Sequence, residues 1–69
     1  MRIFNRLKSI RHTYEMTQTE FADFLGIAYP QYNRYEKQNA QPSLLLALRM
    51  SERLNVTVND IVYFAKDSD

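Results

Sequence analysis

Side chains able to do acid–base, nucleophilic or metal chemistry are few in this sequence, and none are arranged for it. The carboxylates Glu15, Glu20, Asp23, Glu36, Glu52 and Asp60 are scattered along the chain. His12 is the single imidazole, and with no cysteine or second histidine to share a metal it reads as a solvated surface residue. There is no G-x-S-x-G nucleophile turn, no phosphate-cradling glycine loop and no H-E-x-x-H. An enzyme is not expected, nor a cofactor, a metal or a small-molecule ligand. The chemistry left is recognition by polar side chains on a helix. If Tyr32, Tyr35 and Glu36 face inward, the helical wheel turns Pro30, Gln31, Asn33 and Arg34 outward, with Tyr29 at the flank.

The elements that would position such a face must be small. Sixty-nine residues and 8.2 kDa leave room for one domain over residues 1–69. A hydrophobic fraction of 45% with 25% charged residues belongs to a globular chain, not a disordered one. No apolar run approaches the roughly 18 residues of a membrane span, and the charged start is not that of a signal peptide. The absence of cysteine suits a reducing compartment, so a soluble cytoplasmic domain with no membrane partner is expected.

A single glycine argues for helices over sheet. Phe4, Leu7, Ile10 and Tyr14 recur at helical spacing, which predicts a first helix over roughly residues 5–14. Thr17 and Glu20 have the spacing of a capping box, and Met16 and Phe21 that of a hydrophobic staple. The second helix should therefore start after Thr17 and run about eight residues to Gly26, where a left-handed turn ends it. Pro30 is tolerated only in a first turn, so the third helix begins near Ala28 or Tyr29. After a loop over residues 37–42, Ser43 caps a helix from Leu44 to Leu54, with Asn55 as its left-handed terminator. Thr57 caps a short last helix from Val58, with Asp60 near its positive end.

A short helix, a glycine turn and a second short helix with a polar outer face make a helix-turn-helix. The ordered set Thr17-Gln18-Thr19-Glu20-Phe21-Ala22-Asp23-Phe24-Leu25-Gly26-Ile27, Arg34-Tyr35-Glu36 and Pro42-Ser43 resembles the DNA-binding domain of phage Cro and lambda-type repressors. The resemblance covers about residues 5–63 and is closest to the compact, stand-alone members. It implies an all-α, five-helix domain; Arg2-Ile3-Phe4 and the run Ile61-Val62-Tyr63-Phe64 are both β-friendly, and in some compact relatives such chain ends pair as a small sheet. It also implies that the second short helix lies in the major groove of double-stranded DNA. Carried onto this sequence, Tyr29, Pro30 and Arg34 take the positions that face bases, Arg34 being suited to a guanine's O6 and N7 together. Gln18 takes the position that bonds a phosphate at a helix N-terminus. Gln31 and Asn33 are expected at phosphates or the groove wall, and Lys37, Asn39 and Ser43 at the far backbone strand.

Arg11 and Glu36 match two positions that often form a salt bridge clamping the first helix to the recognition helix. Three residues depart from the family pattern. Gln38 stands where glycine is usual, so the loop is expected to turn at Asn39. Tyr32 replaces a smaller aliphatic residue, and Ala28 replaces a hydroxyl cap.

A net charge of +1 is low for a DNA binder, although Arg2, Arg6, Lys8 and Arg11 precede any acid and Asp67 and Asp69 lie in the tail. Small family members compensate by dimerising and reading two half-sites about 34 Å apart. The run Ile61-Val62-Tyr63-Phe64 is the expected homodimer interface, with Leu44, Leu45 or Leu46 beside it. The expected function is a dimeric transcriptional regulator, a repressor at a palindromic operator. The alternative is a protein-interaction module, an antitoxin or adaptor, with Tyr29, Tyr32 and Tyr35 in its interface.

Overall fold

The computed structural model describes residues 1–66; Asp67 and Asp69 lie outside them. The order is β1 (Arg2–Asn5), α1 (Leu7–Thr13), α2 (Gln18–Leu25), α3 (Tyr29–Glu36), α4 (Leu44–Leu54), α5 (Val58–Ile61) and β2 (Val62–Ala65). The five expected helices are present, and β1 and β2 pair as a two-stranded antiparallel sheet.

Local chemistry accounts for most boundaries. Thr17 accepts from the Glu20 N–H at 3.2 Å while Glu20 reaches back to the Thr17 N–H at 2.8 Å, so α2 opens on a complete capping box. Gly26 ends it at φ +75°, a conformation that costs glycine little. Ser43 caps α4 and Asn55 ends it at φ +57°. Thr57 and Asp60 form a second capping box, which lets α5 exist at only four residues.

The core gathers Leu7, Phe21, Ala22, Tyr32, Tyr35, Met50, Leu54 and Ile61 from all five helices. Burying each of the larger side chains is worth about 1.5–3 kcal/mol. Tyr32 packs edge-on against Phe21 at 5.6 Å, and Tyr14 lies beside Phe21 and Phe24 with its hydroxyl on the Leu54 carbonyl. Arg53 donates to the Phe24 carbonyl at 2.9 Å and lies over its ring, tying α4 to the end of α2. Among the described residues no helix is long and apolar enough to cross a membrane.

Two expectations are corrected. The first helix starts at Leu7 rather than at residue 5, because Asn5 is in the strand and its Oδ1 accepts from the Leu7 N–H at 3.1 Å, turning the chain into the helix. Phe4, which fits both the helical period and the β-friendly Arg2-Ile3-Phe4, takes the second role and pairs with Tyr63 across the sheet. The left-handed residue after α3 is Gln38, at φ +62°, and not Asn39. Asparagine is the better left-handed former in isolation, but the Gln38 carboxamide is held by Asn5 across the fold.

Candidate nucleic-acid interface

Helix α3 is amphipathic by residue type: Tyr32 and Tyr35 are buried, while Tyr29, Pro30, Gln31 and Arg34 are exposed and Asn33 is half-buried. Pro30 sits in the first turn, where its missing N–H breaks no intrahelical bond. Ala28 offers the helix start no side-chain cap.

What orients this helix is a carboxylate. Glu36, its side chain 3% exposed, accepts from Arg11 Nε at 2.6 Å and from Arg11 Nη2 at 3.3 Å, a two-pronged ion pair between α1 and α3. The third Arg11 nitrogen, Nη1, donates to the Met16 carbonyl at 3.0 Å, just before α2. Gln18 Nε2 donates to Glu36 Oε1 at 2.9 Å, and the Tyr32 hydroxyl donates to Oε2. The Tyr29 hydroxyl then donates to Gln18 Oε1 at 3.1 Å. One carboxylate thus joins α1, α2 and both ends of α3. The larger residue at position 32 finds its reason here: its ring fills the core and its hydroxyl reaches Glu36.

Burial pushes the Glu36 carboxyl up, but the hydrogen bonds from Arg11, Tyr32 and Gln18, with the Arg11 charge, more than offset this and hold it below the usual carboxylate range. Glu20 and Asp60 are lowered too, chiefly by the backbone N–H groups of Thr17 and Thr57. Each group ionises more readily folded than unfolded. Its contribution is therefore complete above the ordinary value, 4.5 for Glu36, and is lost as pH falls through the depressed one. Melting temperature is expected to hold from neutral pH to about 5 and to fall below that, with Glu36→Gln showing a shallower fall. Thermal melts across the acid range check this.

The remaining site residues sit around this frame. Gln31 donates to the Tyr35 hydroxyl at 2.6 Å, which fixes its amide at the edge of α3. The Arg34 side chain is exposed and makes no ion pair or hydrogen bond among the described residues. Lys37 is the exposed C-cap of α3, Asn39 is exposed in the following loop, and Ser43 caps α4 through its oxygen while its hydroxyl proton stays available. Gln18, Tyr29 and the Arg11–Glu36 pair are brought into one network; Asn33, Lys37, Asn39 and Ser43 are not part of it.

The terminal run divides. Ile61 is wholly buried in the core and is removed from the surface expected to meet a second copy. Val62 packs against the core, Tyr63 lies under Arg6 at 4.0 Å, and Phe64 is 71% exposed opposite Ile3, itself 46% exposed. A shallow groove of about 320 Å³ runs between Ile3, Asn59 and residues 62–64. Of the three leucines opening α4, Leu46 packs inward while Leu44 and Leu45 face solvent. Sequence reasoning missed Asn5 and Gln41, which hold the loop beyond α3; isolated amides carry no local signal for such a contact.

A helix held by buried ionic and hydrogen-bonded groups, its polar side free, preceded across a glycine turn by a second helix, also of eight residues, makes a helix-turn-helix. The helix-turn-helix family matches residues 7–61, and the chain belongs to it, in the Cro and repressor type. The chain is 37% identical over 60 residues to the antitoxin PezA of Streptococcus pneumoniae serotype 4, with 87% of this chain covered. It is 32% identical over 63 residues to an uncharacterized HTH-type transcriptional regulator of Methanocaldococcus jannaschii, covering 91% of this chain and 96% of that one. It is 26% identical over 61 residues, 88% of this chain, to the cryptic phage CTXphi transcriptional repressor RstR of Vibrio cholerae serotype O1. The chain spans 38% of the antitoxin's length and 54% of the phage repressor's. A crystal structure of a candidate DNA-binding protein from Bacteroides fragilis shares the fold, with a TM-score of 0.77 at 24% identity over 90% of this chain and all of that one.

Proposed function

We propose that this chain binds double-stranded DNA sequence-specifically as a homodimer and represses transcription by occupying a palindromic operator. The observation that carries the reading is the Glu36 network. It spends a buried charge on fixing the angle of α3 while leaving the Arg34 guanidinium exposed and unpaired among the described residues. Buried ion pairs contribute little net stability, and holding a recognition surface is a use that justifies one. In this reading Tyr29, Pro30 and Arg34 face bases. Gln18, Gln31, Asn33, Lys37, Asn39 and Ser43 meet the backbone, and the second copy packs on Val62, Tyr63 and Phe64 with Ile3. The name of the phage repressor supports the repressing sense.

The second reading, a protein-interaction module, draws on the antitoxin relative and on the exposed Leu44, Leu45 and Leu48 of α4. Its tyrosine-rich interface is reduced, because Tyr32 and Tyr35 are buried and only Tyr29 remains exposed on α3.

Selection from a randomised duplex pool at moderate salt, followed by sequencing, separates the two. Enrichment of a palindrome with half-sites about one helical turn apart is the expected result. Folded protein that enriches nothing sinks the operator reading and leaves the interaction module.

A further inference from the structure

A second polar network lies away from Glu36, around Gln38. Gln38 holds φ +62°, a conformation that strains a residue with a β-carbon and that glycine adopts freely. Its carboxamide offsets that by taking both main-chain groups of Asn5: Oε1 accepts from the Asn5 N–H at 3.1 Å and Nε2 donates to the Asn5 carbonyl at 3.0 Å. Gln38 therefore acts as a side-chain partner for β1 at the residue where that strand ends.

Asn5 returns the contact. It is 5% exposed, the one buried polar residue among the described residues. Its Nδ2 donates to the Tyr35 carbonyl and to Gln41 Oε1, each at 2.8 Å, while Gln41 Nε2 donates to Gln38 Oε1 at 2.9 Å. The Tyr35 carbonyl belongs to the last turn of α3 and also accepts from the Gln38 N–H at 3.0 Å, so Asn5 takes its second acceptor position. Three carboxamides thus bracket the loop that carries Lys37 and Asn39 and leads to Ser43, and they fasten it to the N-terminal strand.

We propose that Asn5, Gln38 and Gln41 form a positioning latch that orders this loop for the DNA backbone, making the strand part of the DNA-binding apparatus. The inference rests on the DNA reading above and adds a division of labour to it. The Glu36 network sets the angle of the recognition helix and hence which bases are read. The carboxamide latch sets the exit loop, and hence how many phosphates are met.

The test is Gln38→Gly, which relieves the backbone and removes the side chain, with Gln41→Ala as a second variant that leaves the turn alone. The first readout needs no DNA: amide 15N relaxation of residues 37–43 in the free protein, with circular dichroism to establish the fold. Loss of order confined to that loop is expected in both variants. The second readout uses the duplex enriched by the unaltered protein, titrated at several salt concentrations. Affinity is expected to fall about fivefold or more, with the salt slope smaller by about 1 and the preferred bases unchanged. A loop as ordered as before in both variants overturns the latch, and so do unchanged affinity and slope. An unaltered protein that selects no duplex refutes the DNA reading and this role with it, whereas a duplex bound equally well by all three proteins refutes the latch alone.

Discussion

Glu36→Ala is expected to lower folding stability by about 3–5 kcal/mol. The substitution does not merely remove one ion pair. It leaves the Arg11 guanidinium, its side chain 13% exposed, without its counter-charge, and takes the acceptor from Gln18 and from the buried Tyr32 hydroxyl. Each stranded donor costs desolvation that its partner had offset, and the charged one costs most. Against a total stability of about 5–15 kcal/mol for ordinary domains, a loss of this size brings the chain close to unfolding. In a domain this small each kcal/mol moves the melting temperature by about 4–8 °C, so the drop is large and easily measured. Glu36→Gln, which keeps an acceptor but not the charge, should fall between. A melting temperature within a few degrees of the starting protein would reclassify the pair as a solvated bridge worth about 0–1 kcal/mol.

Arg34→Ala is expected to do the opposite: leave the melting curve in place and erase discrimination at one base pair. The side chain is exposed and supports nothing in the monomer, so its loss costs the fold little. A bidentate arginine on guanine is worth about 1–3 kcal/mol of discrimination, which is about 5- to 150-fold. Competition between the selected duplex and one altered at the matching pair reads this directly. Lys37→Ala serves as the contrast, since removal of a phosphate contact weakens every sequence alike and lowers the salt slope by about 1. If Arg34→Ala weakens all duplexes uniformly, Arg34 meets the backbone and base reading falls to Tyr29 and Pro30.

The helices were legible where a few neighbouring residues decide the outcome. Thr17 with Glu20, Gly26, Ser43, Asn55 and Thr57 act within one turn of themselves, and α4 runs from Leu44 to Leu54 as its caps require. Where partners lie far apart along the chain, local signals mislead. The apolar period that includes Phe4 looks helical until Tyr63 supplies a cross-strand partner. Gln38 looks a poorer left-handed residue than Asn39 until Asn5 is seen to hold it. Ile61 looks like part of an exposed apolar run until α5 turns it into the core. For the site, the residue types of α3 sorted its faces except at Asn33, which is half-buried, but the way Gln18, Tyr29 and Tyr32 converge on one carboxylate is a product of packing three helices together.

The pairing of β1 with β2 also decides how the domain responds to force. Arg2 lies opposite Ala65, followed inward by Ile3 with Phe64, Phe4 with Tyr63 and Asn5 with Val62. Tension between Arg2 and Ala65 therefore loads these pairs one after another, like a zipper pulled from its open end, instead of shearing all of them together. Such a joint yields at low force, and the last pair to open contains Asn5. Mechanical extension would reach the C-terminal end of α3 before it disturbed the hydrophobic core.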